Sequence, residues 1–177
     1  MPIVTTIEGR IAQVAIDRPE KRNTLSSELC KDLAREFLEL NDDTRVRSIV
    51  LCGHNNVFCA GLDIEEQLAE NTPIFNEFQK VIDALDALSK PVVAAVSGPA
   101  VSQGAAMLYH CDLVFAGEHA LFSMPGLALG QTPRYGVSLL AVKSGGYKLA
   151  AQKLLLSEPI SAAEAVAMGL VNHIVED

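Results

Sequence analysis

The chain uses two spacings of apolar residues, and together they predict its secondary structure. Near the N-terminus, apolar and polar residues alternate in two runs that meet at Glu8 and Gly9, which is typical of a β-hairpin. Elsewhere, apolar residues recur every third or fourth position, as in amphipathic helices, or form short continuous runs, as in buried strands. The predicted strands span residues 3–7, 10–17, 46–52, 92–96, 113–116, 120–122 and 171–175, and the predicted helices span residues 27–41, 73–88, 104–110, 136–143, 147–156 and 162–168.

Residue types typical of helix ends support these boundaries. Ser26 or Ser27 can cap the first helix, and Thr72 can cap the second. Ser161 and Glu164 have the spacing of a capping box, in which each side chain accepts a hydrogen bond from the other residue's backbone amide.

The order of the elements favours one architecture over another. Two strands followed by a helix recur along the chain, which predicts a stacked α/β spiral in a single domain over residues 1–177. A doubly wound sheet is the competing fold. It predicts a glycine-rich phosphate-binding turn after the first strand, where this chain has residues 17–19, Asp-Arg-Pro. The sequence therefore favours the spiral.

Composition narrows the range of partners and compartments. The apolar fraction of 49% excludes a disordered chain, and the net charge of −8 argues against nucleic acid as a partner. No signal peptide and no membrane-spanning apolar run is visible, so no membrane partner is expected. The four cysteines lack the spacing of a metal site, which predicts free thiols, no bound metal and a reducing, cytoplasmic location.

Two segments have the form strand, glycine-containing loop, helix. They span residues 46–64 and 90–112. A backbone N–H in such a loop can point at a ligand oxygen, and the dipole of the following helix adds to the attraction. Two loops of this kind can hold one carbonyl oxygen between two backbone donors, which is an oxyanion hole.

These segments belong to a longer series of motifs that covers nearly the whole chain. In this order and spacing the motifs resemble the crotonase family, also called the enoyl-CoA hydratase/isomerase family. They read DRPEKRN at residues 17–23, FCAGLDI at 58–64, KPVVAAVSG at 90–98, CDLVFA at 111–116, ISAAEA at 160–165 and MGLV at 168–171.

The resemblance implies a fold, a ligand and a set of site residues. The fold is a spiral of ββα units, and the ligand is an acyl-CoA thioester, with coenzyme A as part of the substrate and no prosthetic group. The backbone amides of Leu62 and Gln103 bind the thioester oxygen, and Lys21 or Arg22 lies near the CoA phosphates. The remaining residues implied along the CoA path are Ala60, Gly61, Asp63, Ile64 and Gly104.

The chain departs from the family pattern at the groups that move protons. Hydratases of this family use two glutamates, and their positions hold Ala106 and Gly126 here. Neither residue can accept a proton, so ordinary two-glutamate hydration is not expected; general acid–base catalysis contributes ~10²–10⁴-fold per group. An isomerase-like motif, LGQTP at residues 129–133, is followed by Arg134 where isomerases have an acid. Arg134 is a poor base, and it either binds an anionic group on the substrate or is a solvated loop charge.

Two further departures affect the pocket and the assembly. Gln103 stands where the family usually has glycine, so it is expected to narrow the pocket or to change the turn. Family members continue for about seventy to eighty residues beyond the last predicted strand, in helices that cap the acyl pocket and build a trimer or hexamer. This chain stops at Asp177, so the fold is expected to lack those helices, and the trimer or hexamer is an expectation from the family alone.

Three functional hypotheses follow. The first is an enoyl-CoA hydratase/isomerase-type enzyme that stabilises a thioester enolate, with the proton-handling group among Asp63, Glu65, Glu66 and Arg134. The second is a non-catalytic acyl-CoA-binding protein or subunit. The third, a serine hydrolase with Ser102 as nucleophile, is disfavoured because the nearest histidine in sequence lies two helical turns away.

Overall fold

The computed structural model describes residues 2–69 and 71–176, which form two β-sheets with helices packed around them. The strands are β1 (Ile3–Glu8), β2 (Ile11–Ile16), β3 (Ser48–Gly53), β4 (Val92–Val96), β5 (Pro99–Val101), β6 (Leu113–Gly117), β7 (Leu121–Ser123), β8 (Ile160–Ser161) and β9 (His173–Val175). The helices are α1 (Ser27–Asp42), α2 (Ile64–Gln67), α3 (Ile74–Asp86), α4 (Gln103–Leu108), α5 (Val137–Gly145), α6 (Tyr147–Leu155) and α7 (Ala162–Ala167).

As the chain advances, it adds strands to both sheets. The larger sheet has the strand order β1-β2-β3-β4-β6-β9, and the smaller has the order β5-β7-β8. β1 pairs antiparallel with β2, and the other strands of the larger sheet pair in parallel. β4 and β6 lie in the larger sheet, and the strands that directly follow them, β5 and β7, lie in the smaller one. This is the predicted spiral of ββα units, so the fold class is confirmed.

Most predicted elements are present within a few residues of their predicted bounds. The N-terminal hairpin turns through Gly9, which has a φ of +60° that favours glycine. Ser26, rather than Ser27, caps α1, because its hydroxyl accepts the Leu29 amide at 3.1 Å. The capping box of Ser161 and Glu164 is also present.

The elements that the sequence pattern missed are short. β5 has three residues, β8 has two and α2 has four, so none of them is long enough to show a hydrophobic period. Two of these elements, α2 and β5, matter for the candidate site, because they directly adjoin the two loops proposed for ligand binding.

The core lies between the helices and the sheets. Helix α1 packs along α3, and the apolar stripe predicted for α1 is buried. Burying one such side chain fully contributes about 1.5–3 kcal/mol. The Lys90 ammonium donates to the carbonyls of Leu40 and Asp43, each at 2.6 Å, and so satisfies carbonyls at the C-terminal end of α1 that have no partner within the helix. No helix in the part of the chain described here is long and apolar enough to cross a membrane.

Candidate functional site

The two glycine-containing loops lie against each other. The Val101 amide donates to the Cys59 carbonyl at 2.8 Å, and Cys59 forms a parallel bridge with Ala100. At Gly104, a side chain would overlap the Cys59 carbonyl oxygen. At Gly61, which has a φ of +94°, a Cβ would lie 3.1 Å from the Val101 carbonyl oxygen. Glycine at both positions therefore allows the loops to approach this closely.

The amides of Leu62 and Gln103 are not used by the fold. In the part of the chain that the structure describes, neither amide donates a hydrogen bond to another residue. The Leu25 amide donates to the Gly61 carbonyl and the Asp63 amide to the Leu25 carbonyl, both at 2.8 Å, which fixes the backbone on either side of Leu62. Gln103 is the first residue of α4, where amides have no acceptor within the helix.

Both residues line one cavity of about 250 Å³. Of the residues implied by the family resemblance, six contribute to its wall, whereas Arg22, Gly61 and Gly104 do not. The cavity is lined by Lys21, Thr24, Ala60, Leu62, Asp63, Ile64, Glu65, Gln67, Val101, Ser102, Gln103, Pro125, Leu129 and Gln131.

A smaller cavity of about 50 Å³ adjoins the first and shares Ser102, Gln103 and Gln131 with it. Ala106, Gly126 and Arg134 all line this smaller cavity, so the structure brings these three sequence-predicted positions together. No carboxylate side chain contributes to the wall of the smaller cavity among the described residues. Its other lining residues are Met124, Thr132, Tyr135 and Val137.

Gln131 was missed as a candidate residue, although it lies inside the LGQTP motif. The sequence analysis selected Arg134, which follows the motif, because a charged side chain is a stronger chemical signal than a neutral one.

The structure places the Arg134 guanidinium 4.8 Å from the centre of the Phe75 ring, a cation–π contact, and leaves the residue exposed.

Each acidic residue near the larger cavity has a structural partner. Asp63 is 5% exposed, pairs with Arg18 at 3.1 Å and accepts the Glu65 amide as the N-cap of α2. The Glu65 carboxylate pairs with Lys21 at 2.9 Å on the surface, and this hydrogen bond raises the pKa of Lys21. These contacts hold both carboxylates in place beside the cavity.

Glu66 is positioned away from the candidate site. Its carboxylate accepts the amide of Ser27 at 2.8 Å and the hydroxyl of Ser27 at 2.6 Å, which places a negative charge at the N-terminus of α1. This arrangement favours a role in joining α2 to α1.

Ser102 has an unusual backbone, and the histidine nearest to it in sequence has other partners. Its φ of 53° and ψ of −114° lie outside the regions that side-chain-bearing residues prefer. The sequence predicted that Gln103 would narrow the pocket or change the turn, and in the structure the positive φ belongs to Ser102, one residue earlier. The ring nitrogens of His110 contact the Asp86 carboxylate at 2.7 Å and the Tyr135 carbonyl at 2.9 Å, so His110 is engaged elsewhere. This arrangement disfavours the serine hydrolase hypothesis.

Burial changes the acidity of several cysteine thiols. Burial raises the pKa of Cys59 to about 12 and that of Cys111 to about 12, and it also raises the pKa of Cys30. All four cysteines are free. A thiol with so high a pKa is a poor nucleophile at neutral pH.

These raised pKa values predict an alkaline loss of stability. The folded chain keeps the thiol protons, whereas the unfolded chain releases them from an ordinary pKa of 9.0. The stabilisation contributed by the protonated, buried thiols is therefore complete below pH 9. The free energy of unfolding should fall as the pH rises from 9 towards 12, by up to ~1.4 kcal/mol per pH unit for each thiol. Urea unfolding of the wild type and Cys59→Ala at pH 8 and pH 10 measures this. The variant should lose less stability across that interval than the wild type, and an equal loss would contradict the assignment.

No cluster of three or more His, Cys, Asp or Glu side chains that could hold a metal ion occurs within residues 2–69 and 71–176. The residues that line the larger cavity carry backbone amides, one ammonium group, side-chain amides and hydroxyls as hydrogen-bond donors. Such a set suits a neutral or anionic oxygen-rich ligand.

The fold and the paired loops define a class of protein, a ββα spiral with two unengaged backbone amides beside one cavity. The chain belongs to the enoyl-CoA hydratase/isomerase family, because that family's model matches residues 6–177.

Known relatives agree with this assignment. The chain is 35% identical to the short-chain-enoyl-CoA hydratase of Clostridium acetobutylicum, over 98% of this chain and 69% of that protein. It is 32% identical to the 2,3-dehydroadipyl-CoA hydratase of Escherichia coli, over 97% of this chain and 68% of that protein. The crystal structure of an enoyl-CoA hydratase/isomerase from Pseudoalteromonas atlantica superposes with a TM-score of 0.93 at 32% identity, over 100% of this chain and 71% of that one.

Proposed function

We propose that the protein binds an acyl-CoA thioester in the 250 Å³ cavity and polarises its carbonyl oxygen with the amides of Leu62 and Gln103. The observation that carries this proposal is the pair of unengaged amides on two loops that pack against each other. Backbone donors fixed in advance stabilise the charge of an enolate as it develops.

The coenzyme A portion would extend along the first loop. Lys21 lines the cavity and pairs only with a surface carboxylate among the described residues, so its ammonium group is available to a phosphate. Because the chain carries a net charge of −8, such local cations must hold the anionic phosphates. Arg22 would assist from the exposed turn beside Lys21, and the path would follow Ala60, Gly61, Asp63, Ile64 and Gly104.

The acyl group would enter the smaller cavity of about 50 Å³. With Ala106 and Gly126 on its wall and no carboxylate there among the described residues, hydration by two glutamates is not the reaction we propose. The reaction would instead rely on enolate stabilisation, with Arg134 in place to contact an anionic substituent of the acyl chain. This gives an enzyme of the hydratase/isomerase type with weak proton transfer.

A second candidate function is acyl-CoA binding without turnover. The observation that favours it is that Asp63, Glu65 and Glu66 all have structural partners. Under this alternative the loops bind the thioester, but no group removes the α-proton.

One experiment separates these functions. Butyryl-CoA binding is measured by calorimetry, and α-deuterium incorporation into bound butyryl-CoA is followed by mass spectrometry in D₂O. Crotonyl-CoA and a 3-enoyl-CoA are tested for turnover by absorbance. We expect binding with slow deuterium incorporation. Binding without exchange or turnover would support the non-catalytic alternative, and absence of binding would overturn both proposals.

We further propose a homo-oligomer, a trimer or hexamer, in the cytoplasm. Exposed apolar side chains on α5 and at α6 support self-association, because apolar surface left uncovered favours it; they include Leu139, Tyr147, Leu155 and Leu156, each at least 58% exposed. The four free thiols support a reducing compartment.

A further inference from the structure

His110 joins three parts of the fold beside the smaller cavity. It lies two residues beyond the end of α4, the helix that begins at Gln103. Its Nδ1 atom lies 2.7 Å from a carboxylate oxygen of Asp86, the last residue of α3, and its Nε2 atom lies 2.9 Å from the carbonyl oxygen of Tyr135. Tyr135 belongs to residues 131–136, the wall segment, which contributes four residues to the wall of the smaller cavity: Gln131, Thr132, Arg134 and Tyr135.

Both contacts of the His110 ring require a donor from the ring. The Asp86 side chain is 59% exposed, and an exposed carboxylate is ionised at neutral pH and only accepts hydrogen bonds. The Tyr135 carbonyl also only accepts. A neutral imidazole has one N–H, so its other nitrogen would place a lone pair against an oxygen, whereas the imidazolium donates at both nitrogens. The two contacts therefore match the charged form of His110.

Asp86 is the ionisable side chain that contacts the ring among the described residues. Tyr109 and Cys111, on either side of His110, stay neutral below pH 9, because burial raises the pKa of each to about 12. The other charged groups on neighbouring elements have contacts elsewhere or line a separate cavity; they are Asp83, Asp112, Arg134 and Lys143. A change in the charge of the bridge below pH 9 therefore falls on His110.

The wall segment contains a turn that needs outside contacts to hold it. Tyr135 has a φ of 58° and Gly136 has a φ of 70°. The left-handed region is unfavourable for tyrosine, and such a conformation persists only where the surroundings enforce it. The Tyr135 ring packs edge-on against Phe78 of α3, with 4.7 Å between ring centres, and its hydroxyl donates to the Phe75 carbonyl at 3.3 Å. His110 adds the contact that fixes the Tyr135 backbone itself.

We propose that His110 is a positioning residue that holds the wall segment against the end of α4 only while its ring is protonated. The inference rests on the proposed acyl-CoA function and adds regulation by pH to it. When the ring loses a proton, its remaining N–H stays with Asp86, because a charged acceptor forms the stronger hydrogen bond. The Tyr135 carbonyl then loses its donor, and the wall of the smaller cavity loosens. The bridge is therefore present at low pH and lost as the pH rises.

The first measurement uses the protein without ligand. Nitrogen NMR of the histidine rings, with the His110 signals identified by their loss in His110→Phe, reports the protonation of each ring nitrogen. We expect both ring nitrogens of His110 to carry a proton at pH 6 and one of them to lose it by pH 8.5. A neutral His110 ring at pH 6 would overturn the inference without any reference to a ligand.

The second measurement is the ratio of the dissociation constants of acetyl-CoA and butyryl-CoA, by calorimetry at pH 6 and pH 8.5. The two thioesters share the CoA portion and the carbonyl, so the ratio isolates the end of the acyl chain. Besides the wild type it uses His110→Phe, Asp86→Asn and the matched control His54→Phe. His54 also lies beside a carboxylate, that of Asp17 at 3.6 Å, but it is not among the described residues that line either cavity. Thermal melting confirms that each variant folds.

In the wild type and His54→Phe, the preference for butyryl-CoA should fall by about 3–10-fold from pH 6 to pH 8.5, as the loss of one hydrogen bond implies. His110→Phe should show the weaker preference at both pH values. Asp86→Asn should keep the full preference at pH 6, and a finer pH series should place its midpoint about half a pH unit lower, because a neutral partner no longer favours the charged ring.

Two results would overturn the inference and leave the proposed function standing: a preference that does not change with pH in the wild type, or a pH dependence that survives in His110→Phe. If the wild type binds neither thioester, the proposed function fails and the inference that rests on it fails too.

Discussion

Replacing the amide between Ser102 and Gln103 by an ester should lower the rate of α-deuterium incorporation into butyryl-CoA by about 10²–10³-fold. The substitution, made by incorporating the α-hydroxy analogue of glutamine, removes one N–H and keeps the side chain. The fold should tolerate it, because this amide donates to no other residue in the described part of the chain. The measurement is mass spectrometry of the thioester after timed incubation in D₂O.

Two controls make this result specific. Gln103→Ala keeps the backbone amide, so with butyryl-CoA it should retain exchange within a few-fold of the wild type. An ester at Leu62 should cause a loss similar to that at Gln103, since both amides are proposed to contact the same oxygen. Undiminished exchange in both esters would show that these amides do not stabilise the enolate.

Asn23→Leu should lower the free energy of unfolding by about 3–5 kcal/mol. Asn23 is fully buried, donates to the carbonyls of His54 at 3.0 Å and Val57 at 2.7 Å, and accepts the Arg18 amide at 2.8 Å. Leucine has a similar volume but leaves all three backbone groups without this partner. Urea unfolding followed by circular dichroism measures the change.

The matched control is Asn55→Leu. Asn55 has a φ of 58°, close to the 56° of Asn23, but it is exposed. Asn55→Leu therefore measures how much unfolding free energy is lost by placing leucine in the left-handed region, without the loss of buried hydrogen bonds. Equal destabilisation by the two variants would contradict the role assigned to Asn23, which holds the loop that carries Lys21 and Thr24 to the cavity.

The regular elements were predictable because their sequence signals are local. The alternation in β1 and β2 and the apolar stripes of α1 and α3 each span enough residues to show a period. The cap at Ser26 depends on a residue three positions away, so its spacing is visible in the sequence.

The partners of the acidic residues were not predictable in this way. Glu66 contacts Ser27, and Asp63 contacts Arg18, across about forty residues of chain. No local pattern encodes such pairs, because they form only when α2 packs against the preceding loop and α1. The sequence left Asp63, Glu65, Glu66 and Arg134 as candidates for proton transfer, and the structure distinguishes the three acids by their contacts.

The geometry of the second loop was predictable only in part. The family motif located the loop, and the family's usual glycine suggested that Gln103 would narrow the pocket or change the turn. In the structure, Ser102 takes the positive φ and Gln103 begins α4 with its side chain buried. Whether a glutamine side chain can be buried at this position depends on the space left by Gly61, which is a property of the packed loops.

A crystal structure of the protein with butyryl-CoA tests the central claim most directly. The account predicts that the thioester oxygen lies about 2.7–3.1 Å from both the Leu62 and the Gln103 amide nitrogens. A thioester oxygen that faces solvent or a side chain, and that contacts neither of these two amides, would contradict it.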